Sequence, residues 1–174
     1  YEEIDRTAAE LVVLHDVLSW REFHEVALRR AGFGQVAAYS AQPESLLEHL
    51  NHGQNRRADL VVYGIQPGNE LSWENLRQLR GIFNGPMLAT TESFDQSVQT
   101  RVQALGIHDY LAVGEFGEEG LELKVETALT AHRINTLILE NDLRTQKLFV
   151  NILSVMVKIL ESKDPYTRFH SHSV

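Results

Sequence analysis

The chain has 174 residues, no cysteine and a formal net charge of −8. That length holds one domain with a sizeable core plus an appendage, and is short for two full domains. Without cysteine there can be no disulfide, no thiolate metal site and no thiol nucleophile. Residues 1–131 carry 10 Lys/Arg against 20 Asp/Glu, whereas residues 132–174 carry 6 against 4. An acidic body of this kind offers no footprint for nucleic acid. No signal-peptide pattern and no apolar run of about 18 residues occurs, so no membrane segment is expected. The lack of cysteine accords with a cytoplasmic location. Tyr1 opens the chain and Val174 closes it within a helical pattern, so both ends are read as cuts in a longer protein.

Short apolar runs alternate with amphipathic segments from residue 11 to about residue 130. Leu11-Val12-Val13-Leu14 reads as a buried strand. Residues 20–31 read as a helix with Phe23, Val26, Ala27 and Arg30 on helical spacing, ending near Gly32. Gln35-Val36-Ala37-Ala38-Tyr39 is a second strand, and residues 43–50 a helix starting on Pro43. A third strand at residues 60–63 precedes a helix over 73–82, and a fourth at 86–90 precedes a helix over 96–105 that ends at Gly106. The fifth strand is Asp109-Tyr110-Leu111-Ala112, and the fifth helix is expected to begin near Glu118. Strands this short, apolar and unalternating belong to a parallel sheet covered on both faces. Right-handed crossovers then favour an α/β, doubly wound, flavodoxin-like (βα)5 order. Its functional edge would gather His15, Asp16, Gly64, Thr90, Thr91, Val113 and Gly114.

The fifth helix is expected to run on. Ala131, Ile134, Ile138, Asn141, Thr145, Leu148, Ile152, Val155 and Ile159 recur at alternating steps of three and four. That is a heptad seam of about four heptads, the sequence condition for a coiled coil. Asn141 and Thr145 on the seam are costly in a monomer core but can fix register between two helices. The seam therefore predicts a homodimer through residues 131–162. A second stripe (Leu139, Leu143, Val150, Leu153, Val157 and Leu160) strengthens after residue 148 and suits packing on a following domain.

With the strand ends placed, residues 10–130 resemble the receiver domains of two-component response regulators. The resemblance rests on three stretches: Asp59-Leu60-Val61-Val62-Tyr63-Gly64-Ile65-Gln66-Pro67-Gly68, residues 86–91, and Gly106-Ile107-His108-Asp109-Tyr110-Leu111. In that family two carboxylates after the first strand hold Mg²⁺, an Asp ending the third strand accepts phosphoryl, Thr or Ser ends the fourth and Lys the fifth. Here His15 stands at the first carboxylate position and Asp16 remains of the pair. Gly64 falls on the acceptor and Val113 on the Lys, followed by Gly114 where the family has proline. Thr91, or Thr90 if the strand is offset by one, keeps the hydroxyl. The resemblance thus implies a pseudo-receiver with a degenerate pocket, no catalytic residue and no cofactor. A helix-capping role is the plainer reading of Asp16.

The final residues are similar to the opening of HD-GYP domains, a bacterial branch of the HD phosphohydrolases. The match is Asp164, Pro165, Tyr166, Thr167, His170, Ser171 and Val174, with Phe169 where that family usually has Gly. It implies that residues 163–174 begin a truncated cyclic di-GMP phosphodiesterase domain, with His170 as a metal ligand in the intact parent and divalent ions of the iron or manganese type. The reading is then a regulatory, non-phosphorylatable receiver and dimerisation module, itself not an enzyme, with a regulatory protein partner on the receiver. Two rivals stand beside it. One is a flavodoxin-like ligand- or cofactor-binding domain, which would need a phosphate-cradling Gly-rich loop that residues 15–19 do not supply. The other is a passive dimerising spacer.

Overall fold

This computed structural model describes residues 3–53 and 56–163. Its elements are β1 Glu10–Leu14, α1 Leu18–Arg30, β2 Gln35–Tyr39, α2 Pro43–Asn51, β3 Leu60–Gly64, α3 Glu70–Ile82, β4 Met87–Thr91, α4 Gln96–Ala104, β5 Asp109–Ala112 and α5 Val113–Lys163. Among the described residues the strands form one parallel sheet in the order β2-β1-β3-β4-β5. This is the flavodoxin-like receiver order, with the long C-terminal helix following it.

Alternation along each strand sends successive side chains to opposite faces. Leu11 and Val13 of β1, Leu60 and Val62 of β3 and Leu88 of β4 pack with Ala27 and Leu28 of α1 and with Leu121, Val125, Ala128 and Leu129 of α5. Val12 and Leu14, Val61 and Tyr63 and Met87 and Ala89 pack on the other face with Leu46 of α2, Trp73, Leu76 and Leu79 of α3 and Val98 and Val102 of α4. The result is a three-layer α/β/α unit. Tyr63 is fully buried and its hydroxyl donates to the Ser72 carbonyl at 2.7 Å. Burial there pushes its phenol up to about 12.

Three helices depart from the sequence reading. The helix α3 starts at Glu70 rather than Trp73, because the Asn69 side chain accepts from Leu71 N and caps the first turn. The buried stripe of α1 is His24, Ala27 and Leu28, not one through Val26, which is 44% exposed. A histidine in the middle of that stripe disguised its apolar side. The helix α5 is assigned from Val113, not Glu118, with one non-helical residue at Gly117 (φ 64°, ψ −157°). A left-handed φ of that kind suits glycine.

Contact density divides the chain into Tyr1–His132 and Arg133–Val174. In the first unit α5 buries a helical stripe: Leu121, Val125, Ala128 and Leu129. In the second, every described residue is exposed in the single chain.

Candidate functional site

In a doubly wound sheet the crevice opens at the carboxyl ends of the strands, where the strand order reverses. Here that point lies between β1 and β3, with β2 outside. A cavity of about 520 Å³ lies at these ends, walled by His15, Val17 and Trp20 after β1, by the 65–69 loop after β3, and by Glu92 and Val113.

His15 follows β1 and is only 6% exposed. A Cβ placed on Gly64 would stand 1.9 Å from His15 Cδ2 and 2.4 Å from Nε2. No carbon tolerates such contacts, so the imidazole occupies the volume that any side chain ending β3 would need. Nδ1 of His15 accepts from Val17 N at 3.1 Å, which leaves the proton of the neutral ring on Nε2. Burial, the neighbouring His24 and Arg21 together lower the His15 pKa to about 4, against a raising effect of Asp16. The ring is therefore neutral near pH 7.

Behind it stands His24, fully buried, with its ring centroid 5.6 Å from that of His15. Its Nδ1 donates to the Trp20 carbonyl at 2.6 Å, so Nε2 accepts from the Thr90 hydroxyl at 2.9 Å. Burial lowers its pKa as well. The expected stripe of α1 through Phe23, Val26, Ala27 and Arg30 left out His24. Its signal was the spacing Trp20, His24, Leu28, which places it on the buried side of α1.

Of the remaining pocket residues read from sequence, Val113 reaches the cavity, whereas Asp16 and Thr91 do not line it. Asp16 is exposed, and its Oδ1 accepts from Ala41 N at 2.9 Å, while the Ala41 carbonyl accepts from Asn75 Nδ2 at 3.0 Å. It caps nothing: the N-cap of α1 is Val17, without a side-chain bond. Thr91 donates to the Ser93 carbonyl at 2.8 Å and meets the Tyr110 hydroxyl at 2.6 Å, which turns it into the loop before α4. Val113 does line the cavity, apolar and 2% exposed. Gly114 is explained by packing. Its N–H donates to the Glu92 carbonyl at 2.9 Å, and a Cβ there would sit 2.3 Å from that oxygen.

A hard divalent cation wants several oxygen ligands. Gly64 has no side-chain oxygen, His15 stands where the receiver resemblance expects a carboxylate, and Oδ1 of the one remaining carboxylate, Asp16, is already bonded to Ala41 N. These residues do not fit Mg²⁺. Among the described residues no group of three His, Asp or Glu is placed to hold a metal.

The seam residues Ile134, Ile138, Asn141, Thr145, Leu148, Ile152, Val155 and Ile159 all lie on α5 with exposed side chains in the single chain. His170 and the rest of the HD-GYP-like stretch lie outside the described residues.

No protein-family model matches the chain, and no curated protein does. Solved structures do. A Thermotoga maritima response regulator shares 19% identity at a TM-score of 0.57, over 70% of this chain and 98% of that one. The signal receiver domain of a modulated diguanylate cyclase from Desulfovibrio desulfuricans shares 18% at 0.58, over 72% and 97%. A yeast trimeric coiled-coil segment fused to another protein shares 18% at 0.59, over 88% and 99%. The chain is thus similar in fold to response-regulator receivers, and its long helix is covered by a coiled-coil-bearing neighbour.

Two outcomes follow from the His15 geometry. Gly64→Ala should destabilise the chain by about 3 kcal/mol, the upper range for overpacking. In the Gly64→Ala/His15→Ala double variant the two losses should fall short of additivity, because the clash is gone. Denaturant titration of the four chains measures this, and additive losses would refute the contact.

The second outcome concerns pH. Because the folded pKa of His15 is depressed from 6.5 to about 4, the unfolded chain binds more protons in that window. Stability is then fully present above about pH 6.5 and falls as pH drops towards 4, by about 3 kcal/mol from this group. His24 acts in the same direction. The His15→Phe variant should show a flatter dependence of thermal midpoint on pH than the parent between those limits.

Proposed function

We propose that this chain is a receiver-like regulatory module that does not accept phosphoryl, and that it dimerises through α5 to control an HD-GYP-type cyclic di-GMP phosphodiesterase. The observation that carries the first part is the His15 ring standing in the space of the missing acceptor side chain at Gly64. The absence of a carboxylate there removes the nucleophile for an acyl phosphate. Val113 in place of a cation removes the charge that would hold the product. Dimerisation is supported by the exposed apolar seam of α5, with Asn141 on it selecting two parallel strands in one register. The output assignment is supported by the sequence likeness of residues 163–174 alone. In that reading His170 ligates a divalent ion of the iron or manganese type in the intact parent, and residues 10–130, 131–162 and 163–174 are its receiver, coupling helix and output opening. The partner of the receiver surface would be a regulatory protein or a ligand, and the module needs no cofactor of its own.

Incubation with acetyl phosphate and Mg²⁺, or with beryllium fluoride, should leave mass and thermal midpoint unchanged. A stable aspartyl-phosphate adduct would overturn the non-phosphorylated reading.

Light scattering at about 50 µM should give the mass of a dimer, since a weakly paired coil must be measured well above its dissociation constant. Ile138→Glu with Leu148→Glu should give a monomer whose far-ultraviolet circular dichroism still reports the folded α/β unit. A parent chain that runs as monomer or trimer would refute the two-stranded assignment.

A further inference from the structure

The cavity at the strand ends has lost the chemistry of phosphotransfer but not its shape. Three features of its wall point to one class of occupant. The first is a lone donor. His15 is more than nine-tenths buried, its Nδ1 is taken by Val17 N, and its Nε2–H has no protein acceptor among the described residues. Nε2 is also not sealed from solvent, since the buried side-chain atom without a partner among the described residues is His49 Nε2 instead. The donor of His15 therefore opens to the cavity that His15 lines. The second feature is Glu92, an exposed acidic residue of the same wall with no cationic partner among the described residues. The third is a flat apolar side. The Trp20 ring is braced edge-on by Phe23 at 5.5 Å and 78°, its backbone carbonyl is tied to His24, and Val17, Ile65 and Val113 complete that side.

We propose that this cavity binds a small, flat, uncharged or cationic molecule that accepts from His15 Nε2–H, donates to Glu92 and lies against Trp20. The proposal deepens the non-phosphorylated receiver reading and rests on it, by naming the chemistry of the input at that same site. Ligand sites of this kind are mostly apolar with few convergent polar groups, and they favour the switch point of α/β sheets. Charge selects among ligands. No Lys or Arg lines the cavity. Residues 1–131 carry 10 basic against 20 acidic groups. A phosphate or carboxylate would therefore meet Glu92 with no basic side chain on the cavity wall to offset it. The volume of about 520 Å³ admits a one- or two-ring molecule rather than a peptide.

The test uses the 174-residue chain and three isosteric probes: benzamidine (cationic), benzamide (neutral) and benzoate (anionic). The readout is the Trp20 indole N–H signal in heteronuclear NMR, titrated to about 20 mM, a range suited to fragments of this size. Benzamidine and benzamide should shift it saturably, and benzoate should bind at least about tenfold more weakly. Glu92→Gln, an exposed substitution that leaves the core untouched, should weaken benzamidine about tenfold and leave benzamide within about twofold. Val113→Phe should fill the cavity and abolish both, with the thermal midpoint reporting that it folds. If it does not fold, the Glu92→Gln comparison decides alone. The proposal is overturned if no probe shifts Trp20, if benzoate matches the others, or if Glu92→Gln leaves the benzamidine titration unchanged. The same samples treated with acetyl phosphate and Mg²⁺ separate the two claims. An aspartyl adduct would sink the non-phosphorylated reading, whereas absence of both adduct and probe binding would sink only the ligand site.

Discussion

One packing contact organises the functional edge: the imidazole of His15 seated over the backbone of Gly64. It needs glycine there because a Cβ would overlap the ring at 1.9 Å. It needs a neutral ring because a buried imidazolium is costly. Its Nδ1 takes up the Val17 N–H, which would otherwise go unpaired at the start of α1. Its face rests near His24, itself satisfied by the Trp20 carbonyl and the Thr90 hydroxyl. A ring after β1 thus ties β3, α1 and, through His24, β4 into one arrangement. Placing an acidic side chain at residue 64 would require dismantling that arrangement, not merely replacing a letter.

The sheet was legible because its physics is local and repetitive. Strands buried on both faces read as unbroken apolar runs, so β2 and β5 fall at the bounds expected from sequence, and β1, β3 and β4 within a residue of them. Helix starts were less legible because they hang on single side chains. Asn69 moves α3 back by most of a turn, and a buried His24 hides which face of α1 is inward. At the site, the positions His15, Gly64 and Val113 could be placed by counting from strand ends. What fills the space over Gly64 could not, since the His15–Gly64 contact joins residues distant in sequence through packing alone. The separate duties of Asp16 towards Ala41 and of Thr91 towards Tyr110 were invisible for the same reason.

A strand-end cavity whose polar side chains are His15, Gln66, Asn69 and Glu92, with no Lys or Arg on its wall, carries less charge than a phosphotransfer site. Desolvating such groups is cheaper than desolvating an Asp–Lys–metal cluster, and apolar contact with Trp20 and Val113 then contributes to binding instead of opposing it. Polar groups that are few, fixed and unpaired discriminate between ligands by what they leave unsatisfied in the wrong one.

The second unit poses a different demand along its length. Around Asn141 and Thr145 the apolar seam is narrow and flanked by Glu140, Asp142, Arg144 and Gln146, so a single partner helix would suffice to cover it. From Leu148 to Leu160 the apolar residues include Leu148, Phe149, Val150, Ile152, Leu153, Val155, Met156, Val157, Ile159 and Leu160, all exposed in the single chain. Only Asn151, Ser154 and Lys158 interrupt them. At 100° per residue these three fall on one side of the helix, leaving apolar surface over more than half its circumference. A two-stranded coil buries a stripe much narrower than that, and exposed apolar surface on this scale marks an interaction site. One helix can therefore serve two partners in sequence: a narrow, polar-marked seam that fixes which helix it pairs with, followed by a broad apolar face whose burial requires additional helices.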